Sequence, residues 1–220
     1  MRLFTETPGY APGAAIGAVH FCGFAGIWLV FALFFQQGAG YTPLESGLAV
    51  TPFAVGAAVS AAVAGRLVAR WGRRLTVAGL SLVVTGLGVV ALLSWLAPGP
   101  DLGLLVALPL LVAGTGGGMV VAPNTTLTLE CVPPRMGGVA GGALQTGQRI
   151  GTAIGTAVLA SVFRAVVSAS DRDFPSALSV SMLCAVGFVL LALALGIGEL
   201  RARRARRSND QLLSATNAAP

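Results

Sequence analysis

Apolar residues in this chain fall into six long runs, at residues 14–35, 47–69, 75–96, 102–124, 139–163 and 176–199. Each reaches or slightly exceeds the roughly 20 residues a helix needs to cross about 30 Å of hydrocarbon. Short polar or proline-bearing breaks separate them, at 36–46, 70–74, 97–101, 130–137 and 164–175. The runs lack the period-two alternation of membrane barrel strands. Backbone polar groups have no water to bind inside a bilayer, which leaves helices as the spanning element. The pattern predicts an all-α integral membrane domain over 14–199 with six transmembrane helices. A cytoplasmic segment at 1–13 precedes it, and a basic tail at 200–220, expected to be disordered, follows.

Composition agrees with that pattern. The chain is 55% hydrophobic and 10% charged, against about 25% charged in a soluble domain. So little polar surface cannot cover a 220-residue globule in water. The first run is too long for the apolar core of a signal peptide, and five similar runs follow it. The three cysteines, Cys22, Cys131 and Cys184, have neither metal-ligand nor redox-motif spacing. They read as small apolar residues, with no disulfide, metal or cofactor implied.

The net charge of +6 comes entirely from arginine. In a soluble chain such a charge would suggest nucleic acid; here the arginines sit at helix ends, and no nucleic-acid partner is implied. With the N-terminus in the cytoplasm, the inner side holds Arg2, Arg66, Arg70, Arg73, Arg74, Arg135, Arg201, Arg203, Arg204, Arg206 and Arg207. The outer side holds only Arg164 and Arg172, and Arg149 falls within a run. Cytoplasmic loops carry the arginine excess, so both termini are expected inside, in a multi-pass protein of the cell membrane.

Small residues recur at spacing four within the runs: Gly147, Gly151 and Gly155 with an earlier pair Gly138 and Gly142, Gly114 and Gly118, and Ala57, Ala61 and Gly65. Lipid gives no hydrophobic push between helices, so close approach through small residues is the expected packing device.

Few groups could carry chemistry. No Walker loop is present, and a single histidine argues against hydrolase arrangements that use several; no catalytic residue is expected. The acids Glu6, Glu45, Asp101, Glu130, Asp171, Asp173, Glu199 and Asp210 fall in loops, tails or at helix ends. Within the spans, His20 is either a proton-relay group or a histidine satisfied by a nearby carbonyl. Arg149 lies near the midplane or within snorkelling reach of the surface, depending on where its helix is counted from. Asn124, Thr125, Thr126, Gln145, Thr146 and Gln148 form a late polar cluster. Phe24, Trp28, Phe31 and Phe35 share one face of the first run. The candidate cavity lining is therefore His20, Phe24, Trp28, Phe31, Asn124, Gln145, Gln148 and Arg149. Core or lipid contact is the alternative for the aromatic face.

Gly65-Arg-Leu-Val-Ala-Arg-Trp-Gly-Arg-Arg74, between the second and third runs, resembles the signature loop of the major facilitator superfamily. Gly65, Leu67, Gly72, Arg73 and Arg74 match, Arg70 lies within the loop, and Ala69 stands where that family has an acid. Gln37–Leu48, Gly114–Gly118 with Pro123-Asn124, Val132-Pro133, Gly137-Gly138 and Gln145–Gly151 are similar, in order and spacing, to the last helices of its fourteen-helix drug:proton antiporters. The resemblance implies the C-terminal six-helix bundle of an efflux transporter. It would work on a small-molecule substrate by alternating access against an N-terminal half-transporter or a second copy of itself, in a lipid bilayer. A six-helix membrane subunit without transport is the alternative.

Overall fold

The computed structural model describes residues 7, 9–97, 99 and 101–217, with 203–217 as backbone only. Arg2, Glu6 and most of the expected cytoplasmic segment at 1–13 therefore lie outside the described residues, as does the end of the tail at 218–220. Among the described residues six helices are long and apolar enough to cross a membrane. They are α1 (Tyr10–Leu33), α2 (Pro43–Trp71), α3 (Arg73–Leu96), α4 (Ala107–Leu129), α5 (Gly137–Ala169) and α6 (Phe174–Asn217). A π-helical turn, Phe34–Gly38, prolongs α1, and a helical turn, Leu102–Leu105, leads into α4. The fold is the expected all-α membrane bundle.

Local chemistry sets several boundaries. Thr42 and Glu45 form a capping box at the start of α2: the Thr42 amide donates to Glu45 Oε2 at 2.8 Å, and the Glu45 amide donates to Thr42 Oγ1 at 3.3 Å. Pro43 occupies the first helical position, where it has no intrahelical amide bond to forfeit. Gly72, at φ +50°, turns the chain sharply from α2 into α3. Most helices extend beyond the apolar runs at one or both ends. The largest difference is at α6, which continues as helix through Asn217 where a disordered tail is expected. Residues 200–217 contain neither glycine nor proline and are rich in Ala, Arg and Leu, all strong helix formers.

The helices form two layers. Across the front, α2 packs on α4, α4 on α1, and α1 on α5; behind them α3 packs on α4 and α6, and α6 on α1, α3 and α5. The inner helices are the better buried: half of the most apolar stretch of α1, α3 and α4 is enclosed, against 22% in α2 and α5. The outer pair therefore turns wide faces away from the bundle.

Glycines set the closest approaches. A Cβ at Gly118 would strike the Ala57 carbonyl and the Ser60 hydroxyl of α2, and one at Gly114 the Phe53 carbonyl. A Cβ at Gly151 or Gly155 would strike the Ala18 or Cys22 carbonyl of α1. Gly147 lies at the margin of that contact, with the Ala18 Cβ 3.9 Å from where its own would be. A Cβ at Gly65, Gly138 or Gly142 would meet nothing within 4 Å among the described residues, so these three set no such close approach.

Candidate functional site

At the end of the bundle where α2 and α3 join, a polar network ties four helices together. Arg73, the first residue of α3, is buried. Its Nε lies 2.7 Å from Oε2 of Glu199 on α6, with the two side chains only 1% and 5% exposed. Its Nη1 donates to Oδ1 of Asn124 on α4. Asn124 in turn donates from Nδ2 to the Gly13 carbonyl of α1 at 2.9 Å. Buried charges persist when paired and hydrogen-bonded, and this guanidinium is both. The neighbouring loop arginines differ: Arg66, Arg70 and Arg74 are exposed. A Cβ at Gly65 would meet nothing within 4 Å among the described residues, and Leu67 is half-buried. The signature-like segment thus has one inward arginine and three outward ones. With Ala69 in the acid's place, the carboxylate beside Arg73 comes from α6.

The sequence treats Glu199 as a helix-end acid and Arg73 as a topology anchor, and does not bring them together. The available signal is an acid still inside the last apolar turn, ahead of the arginines of the tail. Asn124 is likewise a buried connector, not the lining of an open cavity.

The remaining lining candidates separate. His20 is buried, stacks on Phe24 with ring centroids 5.5 Å apart, and meets Phe21 edge-on at 5.8 Å. Neither of its ring nitrogens has a hydrogen-bond partner among the described residues. Phe24 and Trp28 are half-buried and join Phe53 of α2, with Trp28 edge-on to Phe53 at 4.8 Å. Phe53 is a third aromatic that single-helix periodicity cannot supply. Phe31 and Phe35 belong elsewhere: both are enclosed in the core, and Phe35 stacks on Tyr41 at 5.2 Å. The one-face reading of Phe24, Trp28, Phe31 and Phe35 breaks because α1 is wrapped by different helices along its length. Gln148 is half-buried and close to Gly17 of α1, whose added Cβ would lie 3.4 Å from the Gln148 Nε2.

Gln145 and Arg149 are exposed on α5. Arg149 lies four residues, about 6 Å, from the midpoint of that 33-residue helix. The exposed face to which it belongs is mixed: Gly142, Thr146, Ala153, Ala157 and Ser161 give it a small and polar stripe, with the apolar Val139, Ile150 and Ile154 along one edge. Helix faces turned to hydrocarbon are apolar; small and polar ones are typical of helix contacts and water-lined cavities.

The six-helix membrane bundle, with a buried charge network at one end and an exposed arginine midway along a spanning helix, is that of a multi-pass membrane protein. The chain belongs to the Major Facilitator Superfamily, whose family model matches residues 13–217. The multidrug resistance protein Stp of Mycobacterium tuberculosis is 33% identical over 171 residues, 77% of this chain and 31% of that protein. The probable actinorhodin transporter of Streptomyces coelicolor is 35% identical over 159 residues, 70% of this chain and 27% of that protein. The methylenomycin A resistance protein of the same organism is 28% identical over 201 residues, 91% of this chain and 40% of that protein. The chain thus spans less than half the length of these relatives, and the resemblance to drug:proton antiporters read from the sequence stands.

Proposed function

We propose that this chain is the C-terminal bundle of a proton-coupled efflux transporter, working by alternating access against a second bundle that closes over its front layer. The observation that carries this reading is the exposed stripe of α5, with Gln145 and Arg149 in the middle of a spanning helix. An arginine held in hydrocarbon at that depth costs several kcal/mol by rough estimate; against a second bundle, or in water between bundles, it does not. The substrate is a small organic molecule of the drug or antibiotic kind that names the relatives. It meets the half-buried Phe24 and Trp28 as a stacking surface, against which the buried Phe53 and His20 pack. Glu199 is occupied by Arg73 and Glu45 by its helix cap, while Asp101, Glu130, Asp171 and Asp173 lie in the turns at helix ends; the acid that takes up the coupling proton is therefore assigned to the second bundle. Both termini face the cytoplasm.

Tryptophan at Ala153 and Ala157 tests the reading. On a lipid-facing stripe A153W/A157W changes nothing. On an interface between bundles it abolishes export by the assembled transporter, while the thermal stability of this chain on its own stays at the wild-type value.

A further inference from the structure

The turn at Gly72 makes α2 and α3 chain neighbours, yet each packs on α4 far more than on the other. Their divergence leaves a groove of about 370 Å³ over α4, walled by Val55, Val59, Val63 and Leu67 of α2 and by Leu111 and Met119 of α4. Leu75, in the first turn of α3, closes its lower end. The three valines, spaced by four, are between 51% and 62% exposed. The groove opens away from α1: Leu111 and Met119 lie on the side of α4 opposite Gly117, which approaches Phe24 of α1. It is therefore separate from the front face described above.

At the lower end of this groove the chain turns through Arg70, Trp71 and Arg74, which together line a recess of about 240 Å³. All three are exposed, and among the described residues neither Arg70 nor Arg74 has a salt-bridge partner. The same three residues also border a larger cavity of about 620 Å³, whose wall includes Glu130 and is therefore of mixed charge. The smaller recess is lined by two arginines with no acid, and by a tryptophan, a residue that favours the level of lipid headgroups.

From Val55 to Arg70 is fifteen helical residues, about 22 Å, enough to run from the headgroup level past the bilayer midplane, about 15 Å in. The groove's volume is far below that of a transmembrane helix about 10 Å across over the same length, and its walls are apolar. A single extended hydrocarbon chain fits it; a protein helix does not. We propose that the α2–α3 groove and the Arg70–Trp71–Arg74 recess together bind one anionic phospholipid. Its phosphate lies between Arg70 and Arg74, its glycerol beside Trp71, and one acyl chain runs along Leu67, Val63, Val59 and Val55. Three of the four loop arginines then divide their labour. Arg73 faces inward to Glu199 and Asn124 and holds the end of the bundle together, while Arg70 and Arg74 face the lipid.

The test is native mass spectrometry of the full chain released from detergent. Phosphatidylglycerol, phosphatidylcholine of identical acyl chains and free glycerol 3-phosphate serve as probes. One phosphatidylglycerol per chain is expected to be retained with about a 30-fold preference over phosphatidylcholine, given two arginines at the headgroup. Excess glycerol 3-phosphate should not displace it, because the groove holds the chain. R70Q/R74Q should lower the preference to near unity, R70K/R74K should restore most of it, and V59W, filling the groove, should reduce retention of both lipids. The proposal is overturned if R70Q/R74Q keeps the wild-type preference, if R203Q/R204Q/R206Q/R207Q abolishes it, or if glycerol 3-phosphate competes as well as the lipid.

Discussion

Arg73 and Glu199 meet with Nε 2.7 Å from Oε2, although one residue begins α3 and the other lies well along α6. Both are buried, so each is the other's compensation for leaving water. Removing one partner strands a charge. E199A is expected to destabilise the bundle by about 3–5 kcal/mol, while R73M/E199M, which replaces the pair by apolar groups of similar size, is expected to lose much less. Thermal unfolding in detergent measures both. Equal losses in the single and double variants would mean that the pair does not act as a unit.

Asn124 links that pair to the Gly13 carbonyl of α1. N124L should cost about 1–3 kcal/mol, because it leaves a buried donor and a buried acceptor without their partner. The same scan checks this, and a loss comparable with that of E199A would give Asn124 a larger part than a connector's.

Helix contacts through glycine separate into two kinds, and the difference is testable within one helix. G155L on α5 drives a side chain into the Cys22 carbonyl of α1, whereas G142L on the same helix meets open space. G155L is expected to give aggregated or strongly destabilised protein on size-exclusion chromatography in detergent, and G142L a wild-type profile.

A native reporter for orientation exists in Cys131, exposed in the turn between α4 and α5. On the arginine-rich side of the bundle it should be cytoplasmic. A membrane-impermeant maleimide applied to intact cells should leave it unlabelled and react only after permeabilisation. In a C131S background, S170C between α5 and α6 should show the reverse. Labelling of Cys131 from outside would invert the topology.

How much of this was legible in the sequence follows from which signals are local. The six spans were readable because every one is a contiguous run, and the family because the Gly65–Arg74 loop and the glycine and proline positions keep their order. The close contacts at Gly151 and Gly155 were readable from spacing, but their equals in spacing, Gly138 and Gly142, lie on an open stretch; periodicity shows that residues share a face, not what covers it. For the same reason Phe31 read like Phe24, though one lies in the core and the other beside Phe53. The Arg73–Glu199 pair was invisible because nothing in either neighbourhood points to the other. The tail read as disordered from its charge, while its helix propensity argued the other way.

The central claim, that this bundle transports only against a second one, is tested most directly by dye retention in cells lacking their own efflux pumps. Residues 1–220 are expressed alone and, in parallel, joined behind the N-terminal portion of a relative such as Stp. Alone, the chain is expected to leave retention of a fluorescent cationic dye at the empty-vector level, since α2 and α5 then have nothing to rock against. With the second bundle supplied, retention should fall, and a proton uncoupler should restore it. Uncoupler-sensitive extrusion by the chain alone, at the rate of a full-length pump, would contradict the account and leave a self-assembled pair of copies as the transporter.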